Sequence, residues 1–199
     1  MERNDIKPSL PKKVYDKIEE EVVKLHIELK LTIPVKPNDV ARLLGYVVRY
    51  YSELNPEEVN LDELRTGNDG KRRDGLSYYD PFIGTYIIWV NNIDCSSSEH
   101  NEFTVMHEIG HIRMGHRGDS MLAEMIANYY AAYALVPSPL PGLYKCHDFV
   151  DIVDTFGVSM DCAYNCSKRC MNWAMYFGTS KQYEKDLKSY YKKVIEEGG

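Results

Sequence analysis

The sequence lacks a long apolar segment. No hydrophobic run approaches the ~20 residues that a membrane-spanning helix needs. Residues 1–5 are mostly charged, and no apolar stretch of the kind found in secretory signals follows them. The five cysteines are few and odd in number, which does not suit a disulfide framework. We therefore expect a cytoplasmic protein with reduced thiols and no membrane partner.

The sequence also lacks an excess of positive charge. Lysine and arginine together number 24 against 30 aspartates and glutamates, giving a formal net charge of -6. A protein that binds the nucleic-acid backbone needs an excess of cations to displace its counterions. The one basic run, residues 71–73, is too short to reverse this and is expected to be a solvated loop tip. Direct binding of nucleic acid is therefore not expected.

The sequence does contain helical periodicity in its first third. Apolar residues recur at helical spacing over 14–29, which predicts an amphipathic helix with the acidic run 19–21 on its outer face. Two prolines end this pattern. Asn38 is then expected to cap a short second helix, which Gly45 ends.

Strand-like runs follow at 46–51, 75–80 and 85–91, and the turn residues between the last two predict a β-hairpin. The serines at 96–98 are predicted N-caps of a helix. Further helices are predicted at about 120–135, 147–155, 159–176 and 180–197. Together these patterns predict an α+β fold, with a small sheet packed on a helix pair and a mostly helical C-terminal half. We expect a core domain at 1–145 and a helical extension packed on it at 146–199.

The chemistry is concentrated in one predicted helix. His107 and His111 are four residues apart, so their imidazoles project from the same face one turn from each other. This spacing suits two ligands of one tetrahedral zinc ion, which binds neutral imidazole well. Glu108 is then placed beside the metal, where it can take a proton from a water molecule. The alternative is a pair of surface histidines around a solvated glutamate.

Glu124 is the candidate third ligand. Catalytic zinc normally takes three protein ligands. His111 precedes the glycine-rich break at 115–118 by about one turn and Glu124 follows it by about one turn, so two antiparallel helices would bring them level. Asn128, one turn further, is a candidate to accept the second N–H of a ligating histidine. The alternatives are a helix N-terminal acid for Glu124 and an ordinary polar position for Asn128.

Other polar residues have weaker claims. His116 lies in the break, where it could reach the site or simply be solvated, and we expect it to be solvated. Cys162, Cys166 and Cys170 form a helical stripe that a thiolate metal or redox site would also show. We expect packing instead, because structural zinc sites space their cysteines around a turn and free cysteine packs as a small hydrophobe. Three further histidines stand outside any ligand spacing and are expected to be surface or hydrogen-bonded polar residues: His26, His100 and His147.

The histidine motif is accompanied by other recognisable segments. These are Ile-Trp-Val-Asn at 88–91, Phe-Thr-Val-Met-His-Glu-Ile-Gly-His at 103–111, Glu-Met-Ile-Ala-Asn-Tyr-Tyr-Ala-Ala at 124–132, Leu-Val-Pro at 135–137 and Phe-Gly-Val-Ser at 156–159. Together they resemble the ImmA/IrrE family of metallo-endopeptidases, over about residues 10–177. The combination is far more specific than the histidine motif alone.

The resemblance implies a small zincin-like core of the gluzincin type. It implies Zn²⁺ held by His107, His111 and Glu124, with Glu108 as general base. Two positions depart from the family's pattern. Ile126 stands where a second acid is common, and Glu102 stands where an arginine often precedes the Phe-Thr pair.

Members of the family act on helix-turn-helix repressors of mobile elements, including phages, or of stress regulons. The sequence therefore predicts a zinc-dependent endopeptidase that cleaves such a repressor as its protein partner. The substrate is expected to extend along residues 85–91 at a sheet edge. The alternative is a non-catalytic, zinc-containing module that regulates a repressor or toxin partner by binding it.

Overall fold

The computed structural model describes residues 9–55, 60–66, 70, 72–94, 97–118, 120–176, 178 and 181–197. These residues form nine α-helices and one three-stranded sheet. In chain order the elements are α1 (Lys12–Glu28), α2 (Pro37–Leu43), β1 (Val47–Tyr50), α3 (Leu61–Arg65), β2 (Gly75–Asp80), β3 (Thr85–Val90), α4 (Ser98–Arg113), α5 (Met121–Leu135), α6 (Leu140–Leu143), α7 (Phe149–Phe156), α8 (Met160–Tyr176) and α9 (Gln182–Glu197). The predicted α+β class is confirmed. None of the described helices is both long and apolar enough to span a membrane.

The sheet has the strand order β1-β3-β2. β2 and β3 pair antiparallel as the predicted hairpin requires. β1 runs parallel to β3, with Val47 opposite Ile87. β3 therefore has a partner on each side, and the prediction that residues 85–91 offer a sheet edge to a substrate is wrong. The edge strands are β1 and β2.

Helices α4 and α5 form the most extensive helix pair of the described residues. Each begins at a serine N-cap: Ser97 accepts a hydrogen bond from the backbone of His100, and Ser120 accepts one from Ala123. Of the serines predicted to cap α4, Ser97 has that role, Ser98 is the first helical residue and position 96 lies outside the described residues. The break between α4 and α5 is where the sequence predicts it.

Helix α1 packs against both α5 and α9, and its apolar stripe is buried. The prediction that the acidic run 19–21 faces solvent is wrong for Glu19, which is only 8% exposed. Its carboxylate accepts hydrogen bonds of 2.7–2.8 Å from Tyr129, Tyr183 and Lys181. These three donors offset the desolvation cost of burying the carboxylate, because a buried charge is tolerated when it is paired and hydrogen-bonded.

Helix α2 starts one residue before the predicted cap. Pro37 is its first residue and Lys36 is its N-cap, without a side-chain hydrogen bond. Asn38 is therefore not the cap, because proline already has the backbone angle that the first helical position requires. Instead, Asn38 accepts a hydrogen bond of 3.2 Å from the hydroxyl of Tyr50.

The C-terminal helices pack on the rest of the chain through the same core. Leu187 and Tyr191 of α9 and Cys166 and Cys170 of α8 all belong to the buried apolar cluster. This burial supports packing as the role of the cysteine stripe. The division into domains at residue 145 stays a prediction.

His26 of α1 links α5 and α9 in this core. It is fully buried, with Nε2 2.9 Å from the carbonyl oxygen of Ala134 and Nδ1 2.7 Å from the hydroxyl of Tyr191. Because the carbonyl can only accept, Nε2 carries the proton and Nδ1 accepts from the tyrosine. Burial lowers the pKa of His26 to about 4, against a weaker opposing effect of the hydrogen bond to Ala134.

We predict that His26 makes the protein less stable in mild acid. The unfolded chain protonates this ring near pH 6.5, whereas the folded chain does so only near pH 4. Between these values the unfolded state binds more protons, so the free energy of unfolding falls as pH falls, by up to about 3 kcal/mol. Urea unfolding from pH 7 to 4, with a chelator present, measures this loss. His26→Gln keeps hydrogen-bonding groups without a titrating ring and should show a flatter dependence; an equal slope in both proteins would contradict the prediction.

Candidate metal centre

Helix α4 brings its two histidines together as the spacing predicts. Nε2 of His107 lies 2.9 Å from Nε2 of His111, and the ring centroids are 4.7 Å apart. Their side chains are 14% and 12% exposed. Both rings therefore line the wall of a cleft while remaining mostly covered by protein.

Glu124 reaches the same point from the first turn of α5. Its Oε2 lies 3.3 Å from Nε2 of His107, and its Oε1 lies 3.2 Å from Nε2 of His111. The helices run antiparallel, so that Glu124 stands level with His111 and Asn128 with His107. The potential ligand atoms of the two histidines and Glu124 lie within 4.8 Å of one another, and no other such group of three or more occurs among the described residues.

The second nitrogen of each histidine points to a different partner. Nδ1 of His107 lies 3.1 Å from Oδ1 of Asn128, which is the contact that the sequence predicts for Asn128. Nδ1 of His111 lies 3.0 Å from Nδ1 of His116. The prediction that His116 is simply solvated is therefore wrong. Its ring packs edge-on against that of His111, with centroids 5.0 Å apart.

The donor set fits a metal ion. When each Nδ1 carries the proton of its ring, both Nε2 atoms present lone pairs, as does the carboxylate of Glu124. Three acceptors then converge without a hydrogen-bond donor between them, an arrangement that a cation satisfies. Two imidazoles and a carboxylate are also one of the known ligand sets of catalytic zinc.

The carboxylates and imidazoles of the cluster favour each other's charged forms. The adjacent imidazoles of His107 and His111 hold the pKa of Glu124 well below its usual range, against a smaller opposing effect of burial. Burial disfavours the charged form of His107, but the neighbouring carboxylates of Glu124 and Glu108 outweigh it, so the pKa of this ring is raised.

Glu108 is the most deeply buried carboxylate of the site, at 6% exposure. Burial raises the pKa of its carboxyl, although His107 and a hydrogen bond from Ser77 oppose the shift. The hydroxyl of Ser77 donates to Oε2 of Glu108 over 2.7 Å. A carboxylate held in this way, next to the histidine pair, has a fixed orientation before any substrate arrives.

Two residues of β2 that sequence reasoning did not select hold Glu108 in place. Ser77 supplies the hydrogen bond, and Gly75 lets α4 come close. A Cβ at Gly75 would lie 2.7 Å from the Thr104 side chain and 3.2 Å from Oε1 of Glu108. Positions 75 and 77 point to the same face of the strand, so the period-two alternation of β2 is the signal that relates them.

The metal centre opens into a cleft of about 1700 Å³. The cleft is lined by β2, which is an edge strand of the sheet, and by the start of α8, including Asp161 and Asn165. No strand of the described residues pairs with the outer edge of β2. The cleft thus combines an open strand edge with the histidine–glutamate cluster.

A comparison with protein families gives one match. The family model of peptidase M78, described as the IrrE N-terminal-like domain, matches residues 59–164, which is more than half of the chain. The match includes β2, β3, α4 and α5, and therefore every residue of the candidate metal centre. No curated protein matches the sequence.

We predict that Glu124→Ala removes most of the affinity for zinc. The variant leaves only the two imidazoles, so the loss should exceed the about 10–100-fold that follows the loss of a ligand's hydrogen-bond partner. Elemental analysis after dialysis should find one zinc ion per chain in the wild type and little in the variant. Asp161→Ala removes an exposed carboxylate from the same cleft and should keep the metal. Full zinc retention by the Glu124 variant would place the third ligand elsewhere.

Proposed function

Since this chain belongs to the family of peptidase M78, the IrrE N-terminal-like domain, we propose that it is a zinc-dependent endopeptidase with Glu108 as its general base. The observation that carries the proposal is the convergence of His107, His111 and Glu124 beside a buried, oriented Glu108. The family supports a metallopeptidase type of function with a protein substrate. The choice of zinc and the gluzincin-type ligand set are part of our proposal.

His107, His111 and Glu124 would hold the ion, and Asn128 would fix the ring of His107 by accepting its Nδ1 proton. Zinc bound there would supply Lewis acidity, which lowers the pKa of water and polarises the scissile carbonyl. Three protein ligands leave one tetrahedral position for the reaction, as a catalytic site requires.

Glu108 would move the proton. Its carboxylate takes a proton from the attacking water and passes it to the nitrogen of the leaving amine. Ser77 fixes Oε2 of Glu108, so that the carboxylate does not have to reorient for each transfer. Gly75 leaves room for this carboxylate, because a Cβ there would lie 3.2 Å from Oε1 of Glu108. These features are of use to a proton carrier, whereas a purely structural metal site has no need of them.

The substrate would lie along β2. This strand lines the cleft and is an edge strand of the sheet, so an extended peptide could add to it by backbone hydrogen bonds. This replaces the expectation that the peptide follows β3. We further propose that the substrate is a helix-turn-helix repressor of a mobile element or stress regulon, which a cytoplasmic endopeptidase would inactivate by cleavage. This part of the proposal is supported by the resemblance to the ImmA/IrrE family.

The rival proposal is a non-catalytic module that binds a repressor or toxin partner, with the metal in a structural role. Both proposals require His107, His111 and Glu124. Only the enzyme requires the carboxylate of Glu108, so a change at that position separates them.

We predict that Glu108→Gln keeps the metal but loses the activity. The amide keeps the shape of the side chain and cannot accept the proton, so cleavage should slow by at least about 100-fold. The assay follows fragments of a candidate repressor by mass spectrometry, and elemental analysis reports the zinc content. Glu99→Gln makes the same change at an exposed position of α4 and should behave as wild type. If the wild type regulates its partner without cutting it, and the Glu108 variant does the same, the binding module is correct.

A further inference from the structure

The C-terminal end of α4 has a specific backbone geometry. Gly115 has a φ of +71°, in the left-handed region that glycine adopts most easily. Its N–H donates to the carbonyl of Ile112 over 3.1 Å, and the N–H of His116 donates to the carbonyl of His111 over 3.0 Å. This pair of bonds is the Schellman motif, which brings the residue after the glycine next to the third residue from the helix end. These two residues are His116 and His111.

The side-chain contact that results joins like atoms. Nδ1 of His116 lies 3.0 Å from Nδ1 of His111. A neutral imidazole has one N–H and one lone pair, so one ring must donate from Nδ1 and the other must accept at Nδ1. The two rings therefore hold opposite tautomers.

The surroundings of His111 decide which ring donates. Its Nε2 faces the carboxylate of Glu124 and the Nε2 of His107, at the point where the metal would bind. A ligating nitrogen must present its lone pair, so the proton of His111 belongs on Nδ1. His116 is then the acceptor at Nδ1 and carries its own proton on Nε2.

We propose that His116 is a positioning residue of the metal centre, whose Nδ1 accepts the Nδ1 proton of His111 and so keeps the Nε2 lone pair of His111 directed at the metal. The inference rests on the proposed metal site. It gives His116 the role for His111 that Asn128 has for His107. The two ligands are thus held by different chemistry, an imidazole from the α4–α5 turn and an amide from α5.

Two other roles for His116 are less consistent with the contacts. As a metal ligand in place of Glu124 it would need a lone pair in the cluster, but His116 is not in the group whose potential ligand atoms lie within 4.8 Å of one another. If the ring of His116 only packed against the end of α4, it would need no hydrogen-bond acceptor at its Nδ1 position. The second alternative is the one that an experiment must exclude.

His116→Asn and His116→Leu form a matched pair. Both side chains branch at Cγ, so each can place an atom where Nδ1 of histidine stands; in asparagine this atom can be an accepting oxygen, and in leucine it is a methyl group. The measurement is the dissociation constant for Zn²⁺, by competition with a chromophoric chelator. We expect the leucine variant to bind zinc about 10–100-fold more weakly. The asparagine variant should stay within about threefold of the wild type. Asn128→Leu removes the corresponding hydrogen-bond acceptor from His107, and its loss of zinc affinity provides the reference value.

Thermal unfolding of the metal-free proteins checks that the variants fold. If either does not, the wild type still tests the inference, because long-range ¹⁵N–¹H spectra of the zinc-loaded protein report each ring's tautomer. They should show His111 protonated at Nδ1 and His116 at Nε2, and the reverse assignment for His116 would overturn the proposal. The proposal would also be overturned if the leucine variant bound zinc as tightly as the wild type, or if the leucine and asparagine variants bound zinc equally more weakly than the wild type. Each of these results leaves zinc binding by the wild type intact, whereas a wild type that binds no zinc removes the proposed function itself.

Discussion

The close packing of α4 on α5 is the constraint on which the site depends. A Cβ at Gly110 would lie 3.1 Å from ring atoms of Tyr130, so the absence of a side chain there lets the two helices approach. The sequence motif places this glycine one residue before His111. The same approach brings Glu124 and Asn128 of α5 within contact of the histidines. A wider separation of the axes would leave two histidines on one helix and a carboxylate too far away to share an ion with them.

The turn between these helices contributes more than a connection. Its Schellman motif ends α4 directly after the turn that carries His111 and directs the next side chain, His116, back onto His111. Ser120 then caps α5 so that Glu124 falls in its first turn. Because this loop is short, side chains from the end of α4 and from the start of α5 lie within a few ångströms of one another at the site.

Local rules predicted most of these elements, and their failures have physical causes. The i, i+4 spacing of the histidines and the turn count to Glu124 need only helix geometry, and the structure brings these residues together. The pairing of β1 with β3 joins residues forty apart in the chain, which no local pattern encodes, and so the open edge of the sheet was misassigned. The local pattern predicts a solvent-exposed Glu19, because the partners that bury it come from α5 and from the segment around α9, far away in the chain. The contact of His116 with His111 could be predicted from the sequence, because Gly115 marks the helix cap whose geometry brings the two residues together.

The surroundings, and not the residue type, distinguish the two glutamates of the site. Glu124 lies at the start of a helix, half exposed, with its two oxygens directed at two histidines. Glu108 lies on the neighbouring helix against β2, where Ser77 and the bare backbone of Gly75 enclose it. A carboxylate that held the ion could not also exchange protons freely, and Glu108 is not one of the three residues whose potential ligand atoms lie within 4.8 Å of one another. The sheet therefore takes part in the chemistry that we propose: its edge strand β2 holds the proton carrier through Ser77 and, with no further strand paired to it among the described residues, offers its free edge to the substrate.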